Sequence, residues 1–246
     1  MESIPMARYS YIIAFAVLLV FAGGAFADSM TFTNPGSNVW QGVYVNPYTG
    51  LDTTDHTTLT LYCDDYNTEF SGNPTWEASI ALLVPSPVPS SPSDAETYAA
   101  TNFLFGRTPD AYYMYLEAAY LFGQIRDTSV AVTKQELSAA AWTLFVDGNN
   151  VTQLNTAIST SGSTFASDVA TDLDNAASAA GSPTNLIYSV GYGWYVVTPE
   201  APAVGTTDVY PMQEFMYYSP VPEPASILLL GVVLVGCGRG LARRWS

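Results

Sequence analysis

The chain is 246 residues long, 48% apolar, 13% aromatic and 12% charged, with a formal net charge of −15. Between Asp28 and Pro220, twenty acidic residues face only three basic ones, Arg107, Arg126 and Lys134. A surface of that sign repels phosphate backbones and excludes nucleic acid as a partner, while the Tyr, Trp, Phe and β-branched content excludes disorder as the source of the acidity.

The first segment reads as an export signal. Arg8 precedes the apolar run 11–21, and Ala25-Phe26-Ala27 puts small residues at the two positions a signal peptidase reads. This order predicts an N-terminal signal helix, cleavage before Asp28, and a remainder that lies outside the cytoplasm. With both ends removed, roughly 190 residues are left, enough for one domain.

From Met30 to Leu83 short alternating or apolar runs occur at 30–32, 39–45, 58–62 and 78–84, punctuated by Asn34-Pro35-Gly36 and Thr49-Gly50, which is a strand pattern. Residues 84–93 are too rich in Pro for strand or helix and form a connector. Ser93-Asp94-Ala95-Glu96 and Thr133-Lys134-Gln135-Glu136 have the form of capping boxes, and Thr108-Pro109 puts Pro at a helix start. Helices are predicted over 94–105, 109–125, 134–146 and 152–179. Tyr112, Tyr115, Leu116, Ala119 and Tyr120 recur at helical spacing and read as core. Residues 186–198 and 209–218 return to the strand pattern. The predicted fold is therefore α+β, with N- and C-terminal antiparallel strands sharing a sheet or barrel and a central helical region between them.

At the end, Val221-Pro222-Glu223-Pro224-Ala225-Ser226 leads into the apolar run 227–238, followed by Arg239 and by Arg243-Arg244. An apolar helix before a basic stop predicts a transmembrane helix with its C-terminus inside. At these residues the chain resembles the PEP-CTERM proteins of Gram-negative bacteria, whose C-terminal signal combines a Pro-Glu-Pro motif, an apolar helix and an Arg-rich tail. The resemblance implies a substrate of an exosortase-type membrane peptidase, tethered in the membrane and then processed near Pro222-Glu223-Pro224. It also implies a link to exopolysaccharide.

Residues that carry chemistry are few. His56 is the one histidine, and the cysteines are Cys63 and Cys237, so Cys63 has no disulfide partner within the domain and is a thiol, an intermolecular bridge or a modified side chain. No nucleophile elbow, zincin, phosphate-loop or paired-Cys zinc motif occurs, and neither an enzyme nor a cofactor is expected. Asp64 and Asp65, with Glu69 nearby, are weak candidates for calcium because the spacing lacks the regular loop of alternating carboxylates.

Leu61-Tyr62-Cys63-Asp64-Asp65-Tyr66 and the later Leu137-Ser138-Ala139-Ala140-Ala141-Trp142 together resemble the thioester domains of Gram-positive surface adhesins, in which a Cys and a helical Gln form an internal acyl bond. Aligned on Ala140 and Trp142, Ser138 stands where that family has Gln, and a hydroxyl supplies no acyl carbon. Gln135, one turn earlier, is the alternative donor. The expectation is a non-enzymatic exported surface or matrix protein acting by adhesion or polysaccharide contact. A covalent adhesin using Cys63 and a secreted hydrolase using carboxylates are the alternatives.

Overall fold

The computed structural model describes residues 28–64, 66, 74–200 and 213–220. In chain order these form β1 (Asp28–Asn34), a small hairpin β2 (Val39–Trp40) and β3 (Val43–Tyr44), then β4 (Tyr48–Asp52), β5 (Thr57–Cys63) and β6 (Thr75–Leu82). Helices α1 (Pro92–Asn102), α2 (Ala111–Asp127), α3 (Ala131–Phe145), α4 (Gly148–Thr160) and α5 (Ser163–Ala180) follow. A second hairpin, β7 (Gly181–Ser182) and β8 (Asn185–Leu186), a 3₁₀ turn at Tyr188–Gly191, β9 (Trp194–Pro199) and β10 (Phe215–Tyr218) complete the order. Six strands close an antiparallel barrel in the order β1-β4-β5-β10-β9-β6, so the N- and C-terminal strands do share one sheet and the fold is α+β.

Strand alternation gives the barrel two faces. Met30, Phe32, Tyr48, Leu61, Cys63, Trp76, Val197 and Phe215 fill its interior, with the Phe215 ring 5.8 Å from that of Trp76 and 6.3 Å from that of Phe32. Gly50 makes room for this filling, since a Cβ there would sit 2.4 Å from Leu61 Cδ1. The intervening residues Tyr62, Val196 and Met216 point outward and are buried against the helices, where Tyr62 stacks on Phe122 at 5.3 Å.

Helix α2 is the centre of the helical layer, in contact with α1, α3, α5 and the 3₁₀ turn. Its predicted stripe is core: Tyr112, Tyr115, Leu116 and Ala119 are buried and Tyr120 is half-buried. The tyrosines also tie the layers together, because the Tyr112 hydroxyl donates to the Leu83 carbonyl at 2.7 Å and that of Tyr98 to the Leu82 carbonyl at 2.6 Å. Helix α3 is buried almost all round, from Leu137 through Trp142, and its run of alanines lets α2 and α5 approach closely.

Several boundaries differ from expectation. The α1 cap is Ser91, whose hydroxyl accepts from the Asp94 amide, while Glu96 reaches across to accept from the Tyr112 amide in the first turn of α2. Helix α3 begins at Ala131, so Thr133 lies inside it, and the Lys134 amide already bonds to the Val130 carbonyl. The predicted helix over 152–179 is two helices, broken at Ser161 and Gly162, where the Ser161 hydroxyl oxygen accepts from Trp40 Nε1 and Gln41 Nε2 of the first hairpin. The expected signal helix and transmembrane helix lie outside the described residues. Among the described residues no helix is long and apolar enough to cross a membrane.

Candidate functional site

Strands β5 and β10 are paired so that Cys63 stands opposite Phe215 and Tyr62 opposite Met216. One step further on the same register are Asp64 and Glu214, both fully buried and both on the face turned to the helices. Two carboxylates facing each other across adjacent strands repel, and without water they cannot both be ionised. Asp64 stands beside Glu214 and draws its carboxyl down, against the larger upward push of burial.

The other partners of Glu214 come from three elements. The Leu104 amide donates to Oε1 at 2.8 Å, the Thr198 hydroxyl is 2.5 Å from Oε1, and the Tyr115 hydroxyl donates to Oε2. Thr198 Oγ1 is also 2.9 Å from the Asn102 carbonyl. One hydroxyl proton serves only one acceptor at a time, so Thr198 can donate to an ionised Glu214 or accept from a protonated one while donating to Asn102. Loss of water pushes Glu214 up from 4.5 to about 7, with the bonds from Leu104, Thr198, Tyr115 and Asp64 opposing. Burial first, then the neighbouring Glu214 and Asp64, push the Tyr115 phenol well above its ordinary range, which keeps it a donor. The arrangement can take up or release a proton near neutrality at the seam between barrel and helices.

Cys63 is held through its backbone. Its amide donates to Asn46 Oδ1 at 2.6 Å, and its carbonyl accepts from Asn46 Nδ2 at 3.2 Å and from Trp142 Nε1 at 3.0 Å. Asn46, itself fully buried, thus extends the strand pairing just before β4 begins. Glu214, Thr198 and Asn46 carry no local sequence signal, and the spacing of Tyr115 marks it only as core, because their partners are distant in the chain.

The predicted site residues are placed as follows. The Cys63 side chain lies in the apolar interior of the barrel. Ser138 is on α3, in the layer that packs on the opposite face of the same strand, and its buried hydroxyl has no hydrogen-bond partner among the described residues. The strand therefore separates the two groups that a thioester would join. Gln135, the alternative donor, spends its amide on Asn38 Oδ1 at 2.9 Å and the Val39 carbonyl at 3.0 Å. Asp64, read as a calcium candidate, is fully buried beside Glu214, and Asp65 lies outside the described residues. Among the described residues no group of three or more His, Cys, Asp or Glu side chains is placed to hold a metal. Asp28 opens β1 opposite Ala78, and burial together with Asp52, Asp55 and Glu77 raises its carboxyl. Ala25, Ala27, Pro222, Glu223, Pro224, Arg239, Arg243 and Arg244 lie outside the described residues.

Comparison with known proteins identifies the segment that follows β10. Residues 220–244 match the PEP-CTERM protein-sorting motif. A PEP-CTERM signal marks an exported protein that is processed at the membrane by exosortase, itself a membrane protein. The PEP-CTERM match does not extend into the barrel domain. No curated protein and no solved structure matches the chain. The resemblance to thioester domains finds no support in these comparisons, and the placement of Cys63, Ser138 and Gln135 runs against it.

Proposed function

We propose that this is a non-enzymatic surface or matrix protein, tethered in the membrane on export and sorted by its PEP-CTERM segment, whose barrel domain acts by binding polysaccharide. The observation that carries the reading is the PEP-CTERM match at 220–244, which begins two residues after Tyr218, the last residue of β10. Burial of the carboxyl pair supports a binding role over a catalytic one. Asp64 and Glu214 face each other across adjacent strands, yet both are fully buried, and Glu214 is bonded to Leu104, Thr198 and Tyr115.

The test replaces Pro222-Glu223-Pro224 with three alanines in the full chain. Export is expected to continue, while the processed form is lost and the uncut chain accumulates in the membrane fraction. Processing at the wild-type level would overturn the proposal.

A further inference from the structure

Of the three basic residues between Asp28 and Pro220, two line a single cleft of about 290 Å³. Arg126 comes from the last turn of α2 and Lys134 from the first turns of α3, while Thr60, Tyr62 and Tyr218 contribute the barrel side and Ile125 is buried beneath them. Lys134 is the only lysine of the chain, and among the described residues no ion pair engages it. Arg126 is fixed from two directions. Its guanidinium carbon stands 4.3 Å from the centroid of the Tyr218 ring, and Asp127 takes Nε at 3.0 Å and Nη2 at 3.4 Å. That leaves the Nη1 donors uncommitted among the described residues.

Elsewhere the surface repels anions, so this cleft is where an anion finds both charge and hydrogen-bond donors. An aromatic ring beside the cations suits the C–H face of a sugar, and Tyr218 is 39% exposed. The volume is at the lower limit for ligand pockets, which matches one ring and not an extended chain. A long polyanion would meet the net charge of −15 on every side, whereas one carboxylate in contact with Arg126 and Lys134 lies well inside the screening length of about 8 Å.

We propose that this cleft binds a uronate, a sugar ring bearing one carboxylate, with Arg126 and Lys134 on the carboxylate and Tyr218 against the ring. This deepens the polysaccharide-binding reading above and rests on it.

The full chain in mild detergent is titrated calorimetrically with methyl galacturonoside, which carries one ring and one carboxylate, with neutral methyl galactoside and with acetate. The uronoside is expected to bind, and Lys134→Gln and Arg126→Gln are each expected to weaken it at least about tenfold, the loss of a charge-assisted hydrogen bond. Lys134→Arg should retain binding, as should Arg107→Gln, which removes an exposed charge that does not line the cleft. Unchanged melting temperatures in the Gln variants would show that the loss is not unfolding. Failure of methyl galacturonoside to bind, equal binding of methyl galactoside, or acetate binding as tightly as the uronoside would each overturn the proposal. So would undiminished binding in Lys134→Gln. Because the triple-alanine test does not involve the cleft, normal dependence on the sorting motif without uronate binding would refute this inference alone.

Discussion

Replacing Glu214 with Gln tests the raised carboxyl directly. In the wild-type chain the Glu214 carboxyl is pushed up from 4.5 to about 7 by burial beside Asp64. The folded state therefore holds more protons than the unfolded state between those values. The stability from this proton is fully present below about 4.5 and is lost as pH rises through about 7. At about 1.4 kcal/mol per pH unit across that window, the loss is about 3 kcal/mol, or about 6–12 °C in melting temperature for a domain of this size. Gln has no proton to lose, and its carboxamide oxygen can still accept from the Leu104 amide. The variant should match or fall slightly below wild type at pH 5 and exceed it at pH 8, a crossing that simple loss of packing cannot produce. Thermal melts of the full chain followed by near-ultraviolet circular dichroism between pH 5 and 8 give both curves. Glu117, pushed up to about 7 chiefly by burial, leaves some slope in the variant, so the difference between the curves is what counts. Parallel curves for wild type and Glu214→Gln would refute the reasoning.

Ser138→Ala should be neutral or stabilising by about 1 kcal/mol, since it removes a buried hydroxyl that has no partner among the described residues and puts a better helix former in α3. A lower melting temperature would show that the hydroxyl is used. Ser138→Gln should overfill the same site and gain no ammonia-sized mass deficit, because Cys63 faces the barrel interior, and a deficit reversed by methylamine would show otherwise. Ala141→Arg should cost several kcal/mol by forcing a charge into a fully buried position, and an unchanged melt would contradict that burial.

The layout of strands around a helical centre was legible in the sequence because it depends on local pattern. Met30–Phe32 and Thr58–Tyr62 alternate, and Tyr112 to Ala119 recur at helical spacing, whatever the rest of the chain does. Strand β4 was missed because Tyr48-Thr49-Gly50-Leu51-Asp52 reads as a turn, and only its place between β1 and β5 makes it a strand. The break at Ser161 was missed for a related reason, since the hairpin residues Trp40 and Gln41 that bind it are distant in sequence. The motif at Cys63 was noticed, but the neighbour that matters is Asp64, whose partner is specified by the register of β10 and by nothing adjacent to either residue. Ser138 stands out in the sequence only as the residue at the position of the thioester Gln, and its setting is a tight helix contact across the strand from the Cys63 side chain.

The position of β10 also fixes an order of events. Without Phe215–Tyr218 the remaining five strands form an open sheet, with β5 and β9 as bare edges, and bare edges invite pairing with other chains. An exported chain led by its N-terminus delivers β10 last, and the strand must then insert between partners laid down long before, a non-local step that is intrinsically slow. Residue 220, where the sorting segment begins, is two positions beyond the end of β10. The strand that seals the barrel and the segment that addresses the chain are therefore neighbours in sequence, and a chain cut short before Phe215 would lose both and leave an unsealed sheet.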